Sequence, residues 1–372
     1  MKFVARYRIP VIGFTALVAT EGILRIAFGL GNPALFQKDL ATGYRFKPNQ
    51  EIVRFDKRME FNQYSQRSEP IALEKPKGTI RILMVGDSVL NGGNPIDQAQ
   101  TITRRIEAKI QASGHSVEVL NASASSWGIG NQLGYLQKFG TFHSDIVILL
   151  ISSHNLSQST STSDRVGKNP FYPDHPPLFA IQEAIGRYIL PNLQKAMSAD
   201  QSSSSVPNSL TRSECIYTLS ESDQQFQQNM KLLKKSISLI QTQKVPINVL
   251  FTPNRQDLIP TFVTPDHKPD LLQFLNTLGI PVFDLHQAWS TLPTPTIANY
   301  FRDSKHLTAA GNEAIADFVF RQLCLNHQIK ECAPSPHPSF LATHMSDSAA
   351  SGKSGLIPDS RCAKRHFQID RP

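Results

Sequence analysis

Residues 80–93, Ile80-Arg81-Ile82-Leu83-Met84-Val85-Gly86-Asp87-Ser88-Val89-Leu90-Asn91-Gly92-Gly93, change character halfway. A short apolar run with β-branched residues, bounded by turn residues, reads as a buried strand. Gly86 permits a sharp turn that a bulkier residue resists. Asp87 and Ser88 then fall at the carboxyl end of that strand, where open α/β sheets keep their chemistry. Both residue types also favour helix caps. This stretch alone therefore leaves two readings open, a nucleophilic serine and a plain cap.

The far end of the chain bears on that choice. In Tyr300-Phe301-Arg302-Asp303-Ser304-Lys305-His306-Leu307-Thr308, an aspartate precedes a histidine by three residues, just before a helical pattern over 307–323. One loop can present both side chains together. A serine nucleophile needs a base, and the base needs a group that fixes its tautomer. Ser88, His306 and Asp303 supply those three roles.

Gly86-Asp87-Ser88-Val89 and Asp303-x-x-His306, in this order at opposite ends of a βα pattern, resemble the first and last motifs of the SGNH (GDSL) hydrolase superfamily. The resemblance spans residues 78–324. It implies a three-layer α/β/α sandwich, flavodoxin-like, with about five parallel strands, and acyl-ester chemistry through Ser88, His306 and Asp303. It implies no metal and no organic cofactor. The leader, with Gly29-Leu30-Gly31-Asn32-Pro33, Asp39, Gly43-Tyr44 and Pro48-Asn49-Gln50, also looks like membrane-tethered members of cyanobacterial type.

Two further blocks depart from the family pattern. Asn121-Ala122-Ser123-Ala124-Ser125-Ser126-Trp127-Gly128 resembles the block whose glycine amide donates to the oxyanion. Ser126 occupies the glycine position, and a shifted loop would give the part to Gly128. Any residue but proline keeps the backbone donor. Ser152-Ser153-His154-Asn155 stands where the family shows Gly-x-Asn-Asp. Either His154 or Asn155 would then be the side-chain oxyanion donor, and either can donate. An imidazole does so in a protonation-dependent way.

The remaining strands are expected at 117–120, 145–151, 246–251 and 281–284. Helices are expected over 97–112, 131–139 and 270–278. Phe226, Met230, Leu233, Ile237 and Ile240 recur at four- and three-residue steps, one apolar helix face and hence core. Asp284 and His286 form a rival acid–base pair without the helix-start context of His306. Arg255, after the fourth strand, falls at the catalytic edge, where it either lines the cleft or sits on the surface. His175, in Pro173-Asp174-His175-Pro176, reads as a loop histidine rather than a ligand.

Lys2, Arg6 and Arg8 precede an apolar run over 9–20, which extends to about residue 30. A basic start before such a run is a signal anchor or a signal peptide. The strictly apolar part is shorter than the ~20 residues a span prefers. Glu21 and Arg25, one helical turn apart, can neutralise each other within the extension. No small-x-small cleavage site follows, which favours the uncleaved anchor. Positive residues before the span place the body outside the cytoplasm, at the membrane, periplasm or envelope. A cleaved segment would make the protein secreted, and a buried N-terminal helix in a soluble protein is the remaining reading.

Residues 31–77 read as a stalk or linker with short strands, either free or packed against the domain. Residues 78–326 are the hydrolase-like domain, with an inserted, partly disordered lid at 157–220 flanked by serine-rich pieces. Residues 333–372 lack periodicity and read as a disordered tail. Cys215, Cys324, Cys332 and Cys362 show no metal spacing, and a Cys324–Cys332 bridge is open in an oxidising compartment. The net charge of +8 is spread without a basic helix or aromatic platform, which argues against nucleic acid.

Three functions fit. The first is an esterase or lipase taking a small-molecule, polysaccharide or lipid acyl ester. A sugar hydroxyl in place of water would make it an O-acyltransferase on envelope polysaccharide. The third is an inactive binding module of the same fold.

Overall fold

The computed structural model describes residues 2–199, 220–330 and 332. The expected tail at 333–372, residues 200–219 of the expected lid, Cys215 and Cys362 lie outside the described residues.

The chain opens with α1 (Lys2–Phe28) and two antiparallel hairpins, β1 (Phe36–Asp39) with β2 (Gly43–Phe46) and β3 (Gln50–Arg54) with β4 (Lys57–Phe61). There follow β5 (Ile80–Gly86), α2 (Ser88–Asn91), α3 (Ile102–Ala112), β6 (Val117–Ser123), α4 (Ile129–Phe139) and β7 (Ile146–Ser152). A long excursion carries α5 (Ala180–Ala184), a π-helical turn (Ile185–Ile189) and α6 (Leu190–Ala199). The chain continues with α7 (Glu221–Thr242), β8 (Ile247–Thr252), α8 (Lys268–Thr277), β9 (Val282–Asp284), α9 (Leu285–Ala288), α10 (Thr294–Tyr300) and α11 (Ala309–Leu325).

Five strands form one parallel sheet in the order β6-β5-β7-β8-β9. Each expected strand is present, and β9 is the shortest. The order reverses at β5, so the first strand lies between its two successors. That is the switch point at which doubly wound sheets open a crevice. Side chains alternate between the two faces. Ile82, Met84, Ile148 and Leu250 join Ile106, Ile315 and Val319 of α3 and α11 in one core. Leu83, Val85, Leu149 and Val249 join Leu136 of α4 and Leu233 and Ile237 of α7 in the other. The architecture is a three-layer α/β/α sandwich, with a sheet apolar on both faces as parallel strands require.

Residues 31–77 take the packed alternative and join the body. Phe36, Tyr44, Phe46, Ile52, Met59 and Phe61 are buried in the core beneath α4 and α7. The Trp127 indole donates to Tyr44 O at 2.9 Å, and the Tyr44 hydroxyl donates to Ser125 O at 2.5 Å. These bonds clamp the leader to the loop after β6. Cys324 and Cys332 form a disulfide across a separation of eight residues.

Candidate active site

Asp87 caps α2, its carboxylate accepting from Val89 N at 2.8 Å. Ser88 is therefore the first residue of a short helix springing from the strand end. Gly86 is needed there. A Cβ at this position would lie 2.9 Å from Leu90 Cβ and 3.1 Å from Leu150 Cβ. Gly92, at φ 80°, ends α2 in the left-handed conformation that glycine adopts without strain.

The second half of the site is a tight loop. Phe301 bridges Leu307, and Arg302 N donates to His306 O at 2.9 Å. Asp303 Oδ1 accepts from the amides of Lys305 and His306, both at 2.8 Å. Its Oδ2 lies 2.8 Å from His306 Nδ1. His306 Nε2 lies 2.9 Å from Ser88 Oγ, across 218 positions of sequence. A carboxylate can only accept, so Nδ1 carries the hydrogen and Nε2 is left to accept from the Ser88 hydroxyl. Burial pushes the Asp303 carboxyl up, but the His306 and Lys305 amides and the His306 ring outweigh it and hold it below its usual value. It therefore stays anionic where the pair must work. Arg302 fixes one loop against the other, its guanidinium donating to Gly92 O at 3.0 Å and Leu307 O at 3.1 Å. Arg67 is fully buried and donates to the carbonyls of Asn91, Gly93 and Ile96 beyond the serine.

Of the four residues singled out for the oxyanion, two line the cavity with Ser88 and two do not. Ser126 does. It sits at φ 59°, a left-handed conformation that favours glycine. Its carbonyl accepts from Gln158 Nε2 and Ser161 Oγ, and its hydroxyl pairs with Tyr172. Its amide faces no acceptor among the described residues. Gly128 is turned to another use, since its amide donates to Asn131 Oδ1 at 2.8 Å to start α4. His154 lines the cavity. Its Nδ1 is 3.0 Å from Asn254 Oδ1, and its Nε2 is 3.0 Å from Asp87 Oδ2, a close contact that does not form a hydrogen bond. Burial would raise the Asp87 carboxyl, but the adjacent His154 ring, the Val89 amide and the Ser152 hydroxyl hold it low. Asn155 is fully buried and points away from the cavity, its Oδ1 accepting from Ser152 N at 2.9 Å.

The rival pair is structural. His286 is fully buried between Lys268 Nζ at 2.9 Å and the carbonyls of Asp257 and Val263, while Asp284 pairs with Lys268 at 2.7 Å. Burial and the neighbouring lysine charge push the His286 ring towards neutrality. Arg255 does not line the cavity, and exposed His175 pairs with Asp174 at 2.6 Å. Among the described residues no group of three or more His, Cys, Asp or Glu could hold a metal.

The cavity is about 790 Å³. Ser88, His306, Lys305, Ser126 and His154 share it with Phe46, Phe55, Met59 and Phe61 of the hairpins and with Phe171, Tyr172 and Tyr188 of the excursion. The charged side chains on its wall besides the histidines are Lys57, Arg187 and Lys305, all cations. Sequence reasoning missed the hairpin contribution, because an apolar strand residue gives no sign of whether it faces a core or a cavity.

Fold and site together define a three-layer α/β/α protein whose first-strand serine and last-loop histidine and aspartate stand in a hydrogen-bonded line. No protein-family model matches the chain, and no curated protein does. Solved structures similar to it include a member of the lipolytic protein G-D-S-L family from Veillonella parvula, at 12% identity, with 65% of this chain and 97% of that one covered and a TM-score of 0.38. The lipase/acylhydrolase from Enterococcus faecalis matches at 15% identity, covering 66% and 96%, with a TM-score of 0.39. The lipase Lip_vut3 from a goat rumen metagenome matches at 13% identity, covering 64% and 95%, with a TM-score of 0.37.

Proposed function

We propose that this protein is a serine hydrolase of the SGNH/GDSL type that cleaves acyl esters outside the cytoplasm. The observation that carries the reading is the line from Ser88 Oγ to His306 Nε2 at 2.9 Å and from His306 Nδ1 to Asp303 at 2.8 Å. In this reading Ser88 attacks the ester carbonyl while its proton passes to His306. The imidazolium, held by Asp303, returns that proton to the departing alcohol. Water repeats the sequence on the acyl-serine and frees the acid. The Ser88 amide, first in α2 and so without an intrahelical partner, and the Ser126 amide receive the oxyanion. His154 stands beside them, its ring held by Asp87 and Asn254.

The aromatic cavity wall suits an acyl chain, and its cations suit a substrate that carries negative charge. The extracytoplasmic placement rests on α1. Its Val11–Phe28 stretch has a mean hydropathy of 1.7, long and apolar enough to cross a membrane, and is not buried against the body. The Cys324–Cys332 bridge agrees with an oxidising compartment.

The test is labelling with a fluorophosphonate, together with turnover of a short p-nitrophenyl ester. The wild-type chain should react at Ser88 and turn over the ester, and Ser88→Ala should do neither. Unchanged turnover in Ser88→Ala sinks the proposal.

A further inference from the structure

Residues 178–193 carry an apolar face that no other described residue covers. Leu178 is 81% exposed, Ile189 50% and Leu193 54%, with Phe179 and Ile185 also open to solvent. Ile185, Ile189 and Leu193 recur at four-residue steps and so share one side of the helix. The one acidic residue of the segment, Glu183, is turned inward to Arg54 at 2.6 Å and Arg187 at 2.8 Å. No carboxylate therefore stands on the open side.

This face is fastened to α1. Glu21 accepts from the amides of Ala180 at 2.8 Å and Ile181 at 3.1 Å. Arg25 pairs with Glu21 at 2.6 Å and donates to Leu178 O at 2.8 Å. The two charges that interrupt the apolar helix are thus consumed by the first turn of α5. Glu21 lies seven residues before the end of α1, or about 10 Å along the helix axis. Any bilayer that holds α1 through Phe28 therefore reaches the start of α5. That depth matches the ~5–10 Å at which in-plane amphipathic helices sit. An apolar collar continues from there. Phe28 packs on Phe55 with ring centroids 6.0 Å apart, and Phe55 on Tyr188 at 5.8 Å. Phe55 and Tyr188 also line the cavity that holds Ser88 and His306.

We propose that residues 178–193 lie in the plane of the bilayer that α1 enters, and that the cavity takes its acyl ester from that bilayer, as a membrane-resident amphiphile. The first part rests on α1 as a membrane span, the second on the serine-hydrolase reading.

The full chain, with Cys215 and Cys362 replaced by serine, is reconstituted in liposomes of palmitoyl-oleoyl phosphatidylcholine and phosphatidylglycerol. An environment-sensitive fluorophore is placed at Leu17→Cys in α1, at Ile189→Cys, or at Leu73→Cys at the amino end of the strands. Doxyl-labelled lipid should quench the first two at least about threefold more than the third. Quenching at Leu17→Cys alone overturns the in-plane seat, and quenching at neither removes the span with it. This measurement reads no turnover, so it stands whatever becomes of the hydrolase reading. In a second arm, the triple variant Ile185→Asp, Ile189→Asp, Leu193→Asp should keep turnover of a soluble short ester within about twofold. It should lose about tenfold or more on the same ester group carried by a liposome-embedded chain. Equal losses on both substrates, or no loss on the embedded one, overturn the claim that substrate comes from the bilayer.

Discussion

Asp303 serves His306 twice, and the two services separate by mutation. One oxygen accepts from the His306 and Lys305 amides and shapes the loop, while the other holds the ring hydrogen. Asp303→Asn keeps an acceptor for the amides but lets the side chain present a donor to Nδ1, which favours the wrong tautomer. The expected outcome is a fall in kcat of about 10²–10⁴ with the melting temperature nearly unchanged. Steady-state kinetics beside a thermal melt checks it. A fall of less than threefold would mean that Asp303 only shapes the loop. This pair was legible in the sequence because an i, i+3 spacing before a helix is a local pattern. The oxyanion side was not. Ser126 and Gly128 stand two residues apart, and only the hydrogen bonds of the folded loop show that Gly128 has given its amide to Asn131 while Ser126 has not. His154 and Asn155 are divided in the same way, by a capping bond to Ser152 that no spacing encodes.

At the scale of elements, the strands and helices of the sandwich were legible because their apolar periods are long. The sequence leaves the packing of the leader open, since β1 to β4 are strands of four or five residues whose alternation is too brief to decide it. One of the joins between leader and excursion is a buried cluster, in which Arg54 is fully buried beneath Glu183, Arg187 and the Gly31 amide. Burial pushes the Glu183 carboxyl up, but the Arg54 bond and charge, the Gly31 amide and Arg187 outweigh it and hold it below the usual glutamate range. A depressed carboxyl adds stability that is complete above the ordinary value of ~4.3 and is lost as pH falls through its lower folded value. Residues 178–193 should therefore gain hydrogen exchange in the wild-type chain as pH drops below about 4. Glu183→Ala leaves Arg54 buried without a counter-charge, at a cost of about 3 kcal/mol. In that variant the segment should exchange faster than wild type at pH 7, and the acid step should be gone. Protection equal to wild type at pH 7 would show that the cluster does not hold the excursion.

On the whole-molecule scale, the proposed chemistry and the proposed route to the membrane share one end of the sheet. Ser88 and the 303–306 loop lie at the carboxyl ends of the strands, and the cavity leaving them passes Phe55 and Tyr188 to the end of α1. Leu73 marks the other end, its carbonyl accepting from Arg81 at the start of β5. If α1 crosses a membrane, the sign of the crossing follows from charge. Lys2, Arg6 and Arg8 stand before the apolar stretch, and cations in that place are retained on the cytoplasmic side. The body should then face outward, where Cys324 and Cys332 can stay joined. With Cys215 and Cys362 replaced by serine, a membrane-impermeant maleimide applied to intact spheroplasts should modify Leu73→Cys and leave Lys2→Cys untouched until lysis. The reverse pattern would place the triad in the cytosol. It would also remove the oxidising surroundings that the bridge requires, so the orientation and the disulfide stand or fall in a single measurement.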